Sequence, residues 1–281
     1  KVVALTMPVQ VPMNMSFSSF CGLWLLPGWQ QILGVPVAER IQRLQDPDTR
    51  VRMLENSLSQ AAGVFRRLAD WGDYVIGDTY SAANEGLKGR VVRDVANERG
   101  MSSFGTLLDI VIADELKTIL WPTPQDDDAE SWRMRAELWQ DGRAMIGGSD
   151  AGAHLDRMCG APYPTRWLAD CIRGRKLVPV EFAVKMMTSQ PAKLFGLVDR
   201  GELREGACAD VVVFNPDEIG SEDAMLVTDL PGNSSRLTAG SFGVKRVLVN
   251  GVTIVENGVA NGAVPGTVLK SGKDTYTVLA R

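Results

Sequence analysis

Two short apolar runs that lack alternation constrain this chain more than any other feature. Val2-Val-Ala-Leu-Thr-Met-Pro-Val9 and Ala144-Met-Ile146 show no period-two pattern of apolar and polar side chains. A strand with one wet face must alternate, so such runs read as strands buried on both faces, the habit of parallel sheets covered by helices. Pro8 and Pro12 close the first run, and the second passes into Gly147-Gly-Ser-Asp150. Between them the texture is mostly helical. After a Gly/Pro/Trp-rich loop reaching about residue 36, Asp46-Pro47 supplies an N-cap followed by proline at the first helical position. That start predicts one amphipathic helix toward Leu68, ending near Trp71-Gly72. Asp73–Asp78 reads as a short strand, 88–119 as two helices split at Gly100, 122–128 as an acidic loop, and Trp132–Gln140 as a further helix.

A loop to about residue 164 leads into more helices. Pro179 opens one whose Val180, Ala183, Val184 and Met187 fall at the i, i+3, i+4, i+7 spacing of a core-facing stripe. Past Gly196 the pattern changes. Gly206–Phe214 and Val244–Glu256 are β-rich, and Asn250-Gly251 between two apolar runs is a two-residue hairpin signal. Residues 1–200 thus read as an α/β portion with a helical insertion at about 11–142, and 201–281 as a mostly β portion.

Composition narrows the function. With 281 residues, 45% hydrophobic and 23% charged, the chain can bury a core as one large domain or as a domain with a small companion. A net charge of −4 gives no basic field for nucleic acid or an anionic membrane, and no run reaches the ~18 apolar residues of a membrane span. Cys21, Cys159, Cys171 and Cys208 are widely spaced without a CxxC pair, so the expectation is small buried hydrophobes in a reducing cytoplasm. The opening residues lack an initiator Met and a leader pattern and read as an internal strand. The sequence holds a single histidine, His154.

The segment richest in chemistry is Gly147-Gly-Ser-Asp-Ala-Gly-Ala-His154. A strand ending in small residues lets backbone approach a ligand and sets one carboxylate at its C-terminal mouth, where α/β barrels and open sheets place active sites. Taken alone, Asp150 could equally cap the next segment or form a buried turn, and an isolated His154 could be structural. The catalytic alternative predicts an Asp150 side chain that faces a cavity and does not cap a helix. A serine hydrolase finds little support, because no Gly-x-Ser-x-Gly elbow is present.

Ile146-Gly-Gly-Ser-Asp-Ala-Gly-Ala-His154 resembles the eighth-strand motif of the amidohydrolase superfamily. Thr188-Ser-Gln-Pro-Ala-Lys-Leu-Phe-Gly196, the stretch from Gly201 to Pro216 and the stretch from Val247 to Gly258 extend the likeness to its N-acyl-D-amino-acid deacylase (D-aminoacylase-like) branch. The match is dense from about 143 to 270 and thinner before it, where Lys1–Gln10 would be the seventh strand. The resemblance implies the C-terminal part of a (β/α)8 (TIM) barrel, comprising its last two strands and a large insertion, plus part of a small β-sandwich. It implies hydrolysis of an amide-type C–N bond, such as that of an N-acyl-D-amino acid, with Asp150 passing a proton from a metal-activated water to the leaving nitrogen and in some relatives touching the metal. His154 matches the spacing of a histidine that in dihydroorotase-like relatives contacts the substrate carboxylate. Ser149 and Arg157 are further candidate substrate contacts, chosen for their place in and beside the motif, the alternative for the arginine being a solvated helix position. Arg157 is chosen from a group with Arg166, Arg173 and Arg175, one of which could grip a carboxylate by a bidentate contact.

The family's zinc or similar divalent metal depends on a His-x-His pair and histidines of middle strands, and none of these occurs here. A catalytic zinc needs about three protein ligands. The expectation is an enzyme part that binds no metal alone and acts only with a missing N-terminal half. The rival is a non-catalytic remnant or scaffold module of the same fold. Two strands cannot close a barrel, so their apolar edges lead us to expect a partner, either that missing half or a second copy.

Overall fold

The computed structural model describes residues 2–124 and 126–278. Lys1 of the opening run and Gln125 of the acidic loop lie outside them. In chain order the elements are β1 (Ala4–Thr6), α1 (Trp29–Leu33), α2 (Val37–Gln45), α3 (Pro47–Leu58), β2 (Val75–Ile76), α4 (Val92–Arg99), α5 (Ser103–Ala113), β3 (Leu120–Trp121), α6 (Ala129–Gln140) and β4 (Ala144–Ile146). There follow α7 (Tyr163–Ile172), α8 (Val180–Met187), α9 (Ser189–Leu194), β5 (Val211–Phe214), β6 (Gly220–Ser221), β7 (Met225–Leu230), β8 (Ser234–Thr238), β9 (Ser241–Phe242), β10 (Val244–Val249), β11 (Val252–Glu256) and β12 (Val259–Ala260). The described residues form two compact units, one within Pro12–Gln125 and one from Lys1–Val11 together with Asp126–Arg281.

The Pro12–Gln125 unit is helical around an aromatic centre. Trp29 stacks on Trp71 at 5.5 Å between ring centroids, Phe104 lies 5.0 Å from Trp71, and Phe17 meets Trp29 edge-on. The Trp29 Nε1–H donates to Ser57 Oγ at 2.8 Å, so this fully buried indole keeps a partner for its one polar atom. At the start of α3 the Asp46 carboxylate accepts from Thr49 N at 2.9 Å, as the Asp-Pro signal predicts. Gly100 ends α4 in the left-handed conformation (φ 64°), splitting the two helices as expected.

Two expectations in this unit fail, and one helix had no expectation at all. The supposed loop before residue 36 contains α1 and a 3₁₀ turn at Gly22–Leu25. A separate helix, α2, occupies Val37–Gln45. The helix from Pro47 stops at Leu58 and gives way to 3₁₀ structure over Gln60–Ala69, where Gly63 (φ 51°) breaks the helical path.

In the second unit β1 and β4 pair in parallel, with Ala4 opposite Ala144, Leu5 opposite Met145 and Thr6 opposite Ile146. A parallel pair needs a long crossover, and the intervening chain supplies one. Trp139 of α6 donates to Thr6 Oγ1 at 2.9 Å, and that hydroxyl donates to Met145 O at 3.3 Å, tying helix and both strands together. Trp139 and Trp167 meet edge-on at 4.7 Å beneath β4. All three residues of β4 are buried, as predicted. β1 departs from the prediction, with Leu5 59% exposed, because β4 is the only described strand that pairs with it.

Residues after Gly196 form a four-stranded antiparallel sheet in the order β12-β11-β10-β5, with β6–β9 and β7–β8 as separate pairs. Asn250 (φ 48°) and Gly251 (φ 78°) make the two-residue turn between β10 and β11, both in the left-handed conformation this hairpin demands. No described helix is long and apolar enough to cross a membrane.

Candidate active site

Strand β4 delivers its successors to one end of the β1–β4 pair. Gly147 N and Gly148 N both donate to Thr6 O, at 3.2 and 3.3 Å, so the main chain is still held to β1 after the last strand residue. Ser149 is half-buried and its hydroxyl accepts from Ala151 N at 3.2 Å, which bends the chain. Asp150 follows at φ 49°, and its carbonyl accepts from Ala153 N at 3.1 Å. Asn and Asp tolerate this left-handed region better than most residues, so the aspartate is also a suitable turn former. Asp150 is exposed, and among the described residues no hydrogen bond or ion pair engages its carboxylate. The backbone therefore sets it at a parallel strand's C-terminal end, as expected, but the side chain stands at the surface, against the expectation that it faces a cavity. No further described strand joins the pair to wall in that mouth.

His154 lies in the same loop, exposed and again at positive φ (50°). Its carbonyl accepts from Arg157 N and Met158 N at 3.0 and 2.9 Å, closing a turn that brings the Arg157 side chain back to the ring nitrogen. Arg157 Nη2 donates to His154 Nδ1, and Arg157 Nη1 lies 3.0 Å from both carboxylate oxygens of Asp156. The other arginines of the group serve elsewhere. Arg166 donates to Glu222 O, Arg173 to the carbonyls of Pro216 and Ile219, and Arg175 to Asp127 and Asp170.

Two supports of this loop escaped the sequence reading. Gly160 packs so closely behind Ser149 that a Cβ placed on it would lie 1.7 Å from Ser149 O, so only glycine fits there. Leu237 N of β8 donates to Leu155 O at 2.7 Å, fastening the β7–β8 hairpin to the loop. A Cys-Gly pair in a loop carries no sign of which backbone it must approach, and nothing local links Leu237 to Leu155. Beside Gly160 the Cys159 thiol is buried, and burial pushes its pKa up, which disfavours the nucleophilic thiolate.

A separate cavity of about 600 Å³ opens between α7 and α8 on one side and β5 and β10 on the other, lined by apolar side chains such as Leu168, Val184, Met187, Phe214 and Val244. Its carboxylates are already paired, Glu202 with Lys193 at 2.7 Å and Asp210 with Arg200. Ser149, Asp150, His154 and Arg157 do not line it. Among the described residues no three or more His, Cys, Asp or Glu side chains gather where they could hold a metal ion. The loop's donor set is one aspartate and one histidine whose Nδ1 already accepts a hydrogen bond, which falls short of the about three ligands of a catalytic zinc.

A model of the Amidohydrolase family matches residues 2–255. N-acyl-D-glutamate deacylase of Alcaligenes xylosoxydans xylosoxydans is 36% identical over 115 residues, covering 39% of this chain and 22% of that protein. D-aminoacylase of the same organism is 30% identical over 189 residues, covering 65% of this chain and 34% of the relative. The crystal structure of N-acyl-D-glutamate deacylase from Bordetella bronchiseptica, complexed with zinc and a phosphonate inhibitor, aligns at a TM-score of 0.37 and 27% identity, over 67% of this chain and 36% of that one. The chain thus spans between about a fifth and a little over a third of the length of these relatives.

Proposed function

The chain belongs to the amidohydrolase family, and from that premise we propose that it carries the strand-end aspartate of a hydrolase cleaving the amide C–N bond of an N-acylated amino acid. The observation that carries the reading is Asp150 at the C-terminal end of the parallel strand β4; its exposed side chain, which does not face the cavity described above, speaks for the alternative given below. The substrate class follows from what the relatives are called, deacylases of N-acyl-D-glutamate and a D-aminoacylase. The finer architecture proposed is the last part of a (β/α)8 barrel, with β1 and β4 as neighbouring barrel strands and residues 201–281 as part of a β-sandwich.

In this reading Asp150 is the general base and then the general acid. A water loses a proton to the carboxylate as its oxygen adds to the amide carbon. The C–N bond of the tetrahedral adduct then breaks while Asp150 returns the proton to the departing nitrogen, giving a carboxylic acid and an amine, and the acid's proton then passes to the amine to leave a carboxylate and an ammonium. His154 contacts the substrate from the same loop, and Ser149 shapes the approach. The family's metal does not fit the residues present, and no step here passes through it.

The lack of a ligand set favours one other reading, a non-catalytic module of the same fold. A chimaera separates the two. Residues 143–160 of this chain replace the matching stretch of the Alcaligenes D-aminoacylase, and release of amine from N-acetyl-D-amino acids is assayed. The enzyme reading expects an active chimaera that loses at least a hundredfold in kcat on Asp150→Asn, in line with general acid–base contributions of about 10²–10⁴. Equal activity with and without Asp150→Asn removes the catalytic assignment, and an inactive but folded chimaera favours the module.

A further inference from the structure

The sequence assigns Arg157 to a substrate carboxylate, yet its guanidinium already faces two groups of its own loop. We propose that Arg157 is a positioning residue that fixes His154 in the Nε2–H tautomer, so that the imidazole meets its ligand as a hydrogen-bond donor and not as a base. The ligand side of this statement, a carboxylate or amide oxygen of an N-acylated amino acid, rests on the function proposed above. The tautomer itself rests on geometry alone.

An arginine side chain has five N–H donors and no acceptor. Its contact with Nδ1 of His154 therefore requires that Nδ1 supply the lone pair. A neutral imidazole carries one proton, and with Nδ1 accepting, that proton sits on Nε2. The ring nitrogen left to meet a ligand is then a donor, suited to an oxygen anion or a carbonyl and unsuited to removing a proton from water. Asp150, the other titratable side chain of the motif, is left as the proton acceptor.

Three features hold Arg157 in place. The turn closed by Arg157 N and Met158 N on His154 O fixes the i, i+3 relation of the two side chains. Asp156 engages the second Nη atom, which sets the plane of the guanidinium. The bond from Leu237 N to Leu155 O anchors the main chain between histidine and arginine to the β7–β8 hairpin. Arg157 is also half-buried, unlike its exposed partners His154 and Asp156. Its role is thus that of the partner which, in many sites, orients a functional imidazole through the nitrogen facing away from the chemistry.

The test needs no activity. His154 is the only histidine of the chain, so labelling with ¹⁵N-imidazole histidine yields one pair of ring nitrogens with no assignment problem. At a pH where the ring is neutral, the expected spectrum has Nε2 at the protonated position and Nδ1 at the unprotonated position, well separated. Arg157→Met keeps the stem and removes the donors, and the two shifts should move toward each other, to the values of a freely exchanging imidazole. Backbone amide spectra report whether the variant is folded, and Asp156→Asn should leave the tautomer in place while broadening the signals. A wild-type ring protonated on Nδ1 overturns the proposal without any variant. So does a folded Arg157→Met protein whose ring shifts match those of wild type. Either failure leaves the Asp150 chimaera experiment unaffected, and an inactive chimaera leaves the tautomer measurement unaffected.

Discussion

The Pro12–Gln125 unit closes its core around aromatic rings, whereas the other unit closes only half of its own. In the first, Trp29, Phe17, Leu107, Leu108 and Ile110 are fully buried, and the buried Asp114 has donors from three residues. In the second, Trp139 and Trp167 sit in a smaller buried cluster under β4. The sheet β12-β11-β10-β5, however, leaves Val212, Val213, Val252 and Val259 exposed. Stability is thus concentrated away from the candidate chemistry. The loop from Ser149 to Gly160 lies in the less completely covered unit, where it depends on a few specific contacts and little buried area. Regions with few apolar contacts open more readily, and functional loops are drawn from them.

The largest effect that could break this contrast is Trp29→Ala. The indole is fully buried, stacked on Trp71 and hydrogen-bonded to Ser57. Truncation of such a residue costs about 3–5 kcal/mol. Val213→Ala, on the exposed sheet, should stay within about 0.5 kcal/mol of wild type. Urea unfolding of both variants, followed by amide exchange in each unit, measures the two costs. Equal costs would mean that the exposed valines are covered in solution and that the contrast is false.

Next in size is Gly160→Ala. The added Cβ would meet Ser149 O at 1.7 Å, so the backbone of one partner must move. Overpacking of this kind costs about 1–3 kcal/mol. Amide resonances of Ser149–Arg157 should shift while those of α4 and α5 hold still, which would localise the damage to the candidate site. A variant with wild-type spectra throughout would show that Gly160 does not shape the loop.

How much of this could be read in advance follows from the range of each signal. Asp46-Pro47, Gly100 and Asn250-Gly251 act within their own turn, and the structure places a helix start, a helix end and a hairpin there. The motif from Ile146 to His154 was legible because one strand and one loop carry it. Helix α2 was missed because its N-cap is Pro36, which offers no side-chain acceptor to mark the start. The break at Ser59 was missed because the apolar pattern continues across it, while the backbone turns at Gly63. Exposure of Leu5 and Asp150 depends on which strands flank β1 and β4, information that no local pattern holds. The pairing of Arg157 with His154 was within reach at i, i+3, but the sequence gives no reason to prefer it over a ligand.

The smallest effect sharpens the comparison most, because one buried or partly buried carboxylate in each unit should answer acid with opposite sign. Burial tends to raise the Asp114 carboxyl, yet donors from Ser81 N (2.8 Å), Asn84 Nδ2 (2.8 Å) and Thr118 Oγ1 (2.7 Å) outweigh it and hold the group below the usual carboxylate range. Burial wins at Asp170 in α7 and raises its carboxyl, despite Arg175 at 2.9 Å. For Asp114 the native state binds the proton less readily than the unfolded chain. Its contribution is therefore complete above the ordinary carboxylate pKa and is lost as pH falls through the folded value. For Asp170 the native state binds the proton more readily, so stability declines as pH rises from the ordinary value through the folded one, and acid restores it. Each effect involves one proton, over a window that lies below the ordinary carboxylate value for Asp114 and above it for Asp170, which is why it ranks last. Amide exchange in α5 and α7 across that window reads both slopes. Asp114→Asn should flatten the slope in α5 and leave α7 unchanged, and Asp170→Asn should do the reverse. Slopes of the same sign in both helices would show that Arg175, and not burial, governs Asp170.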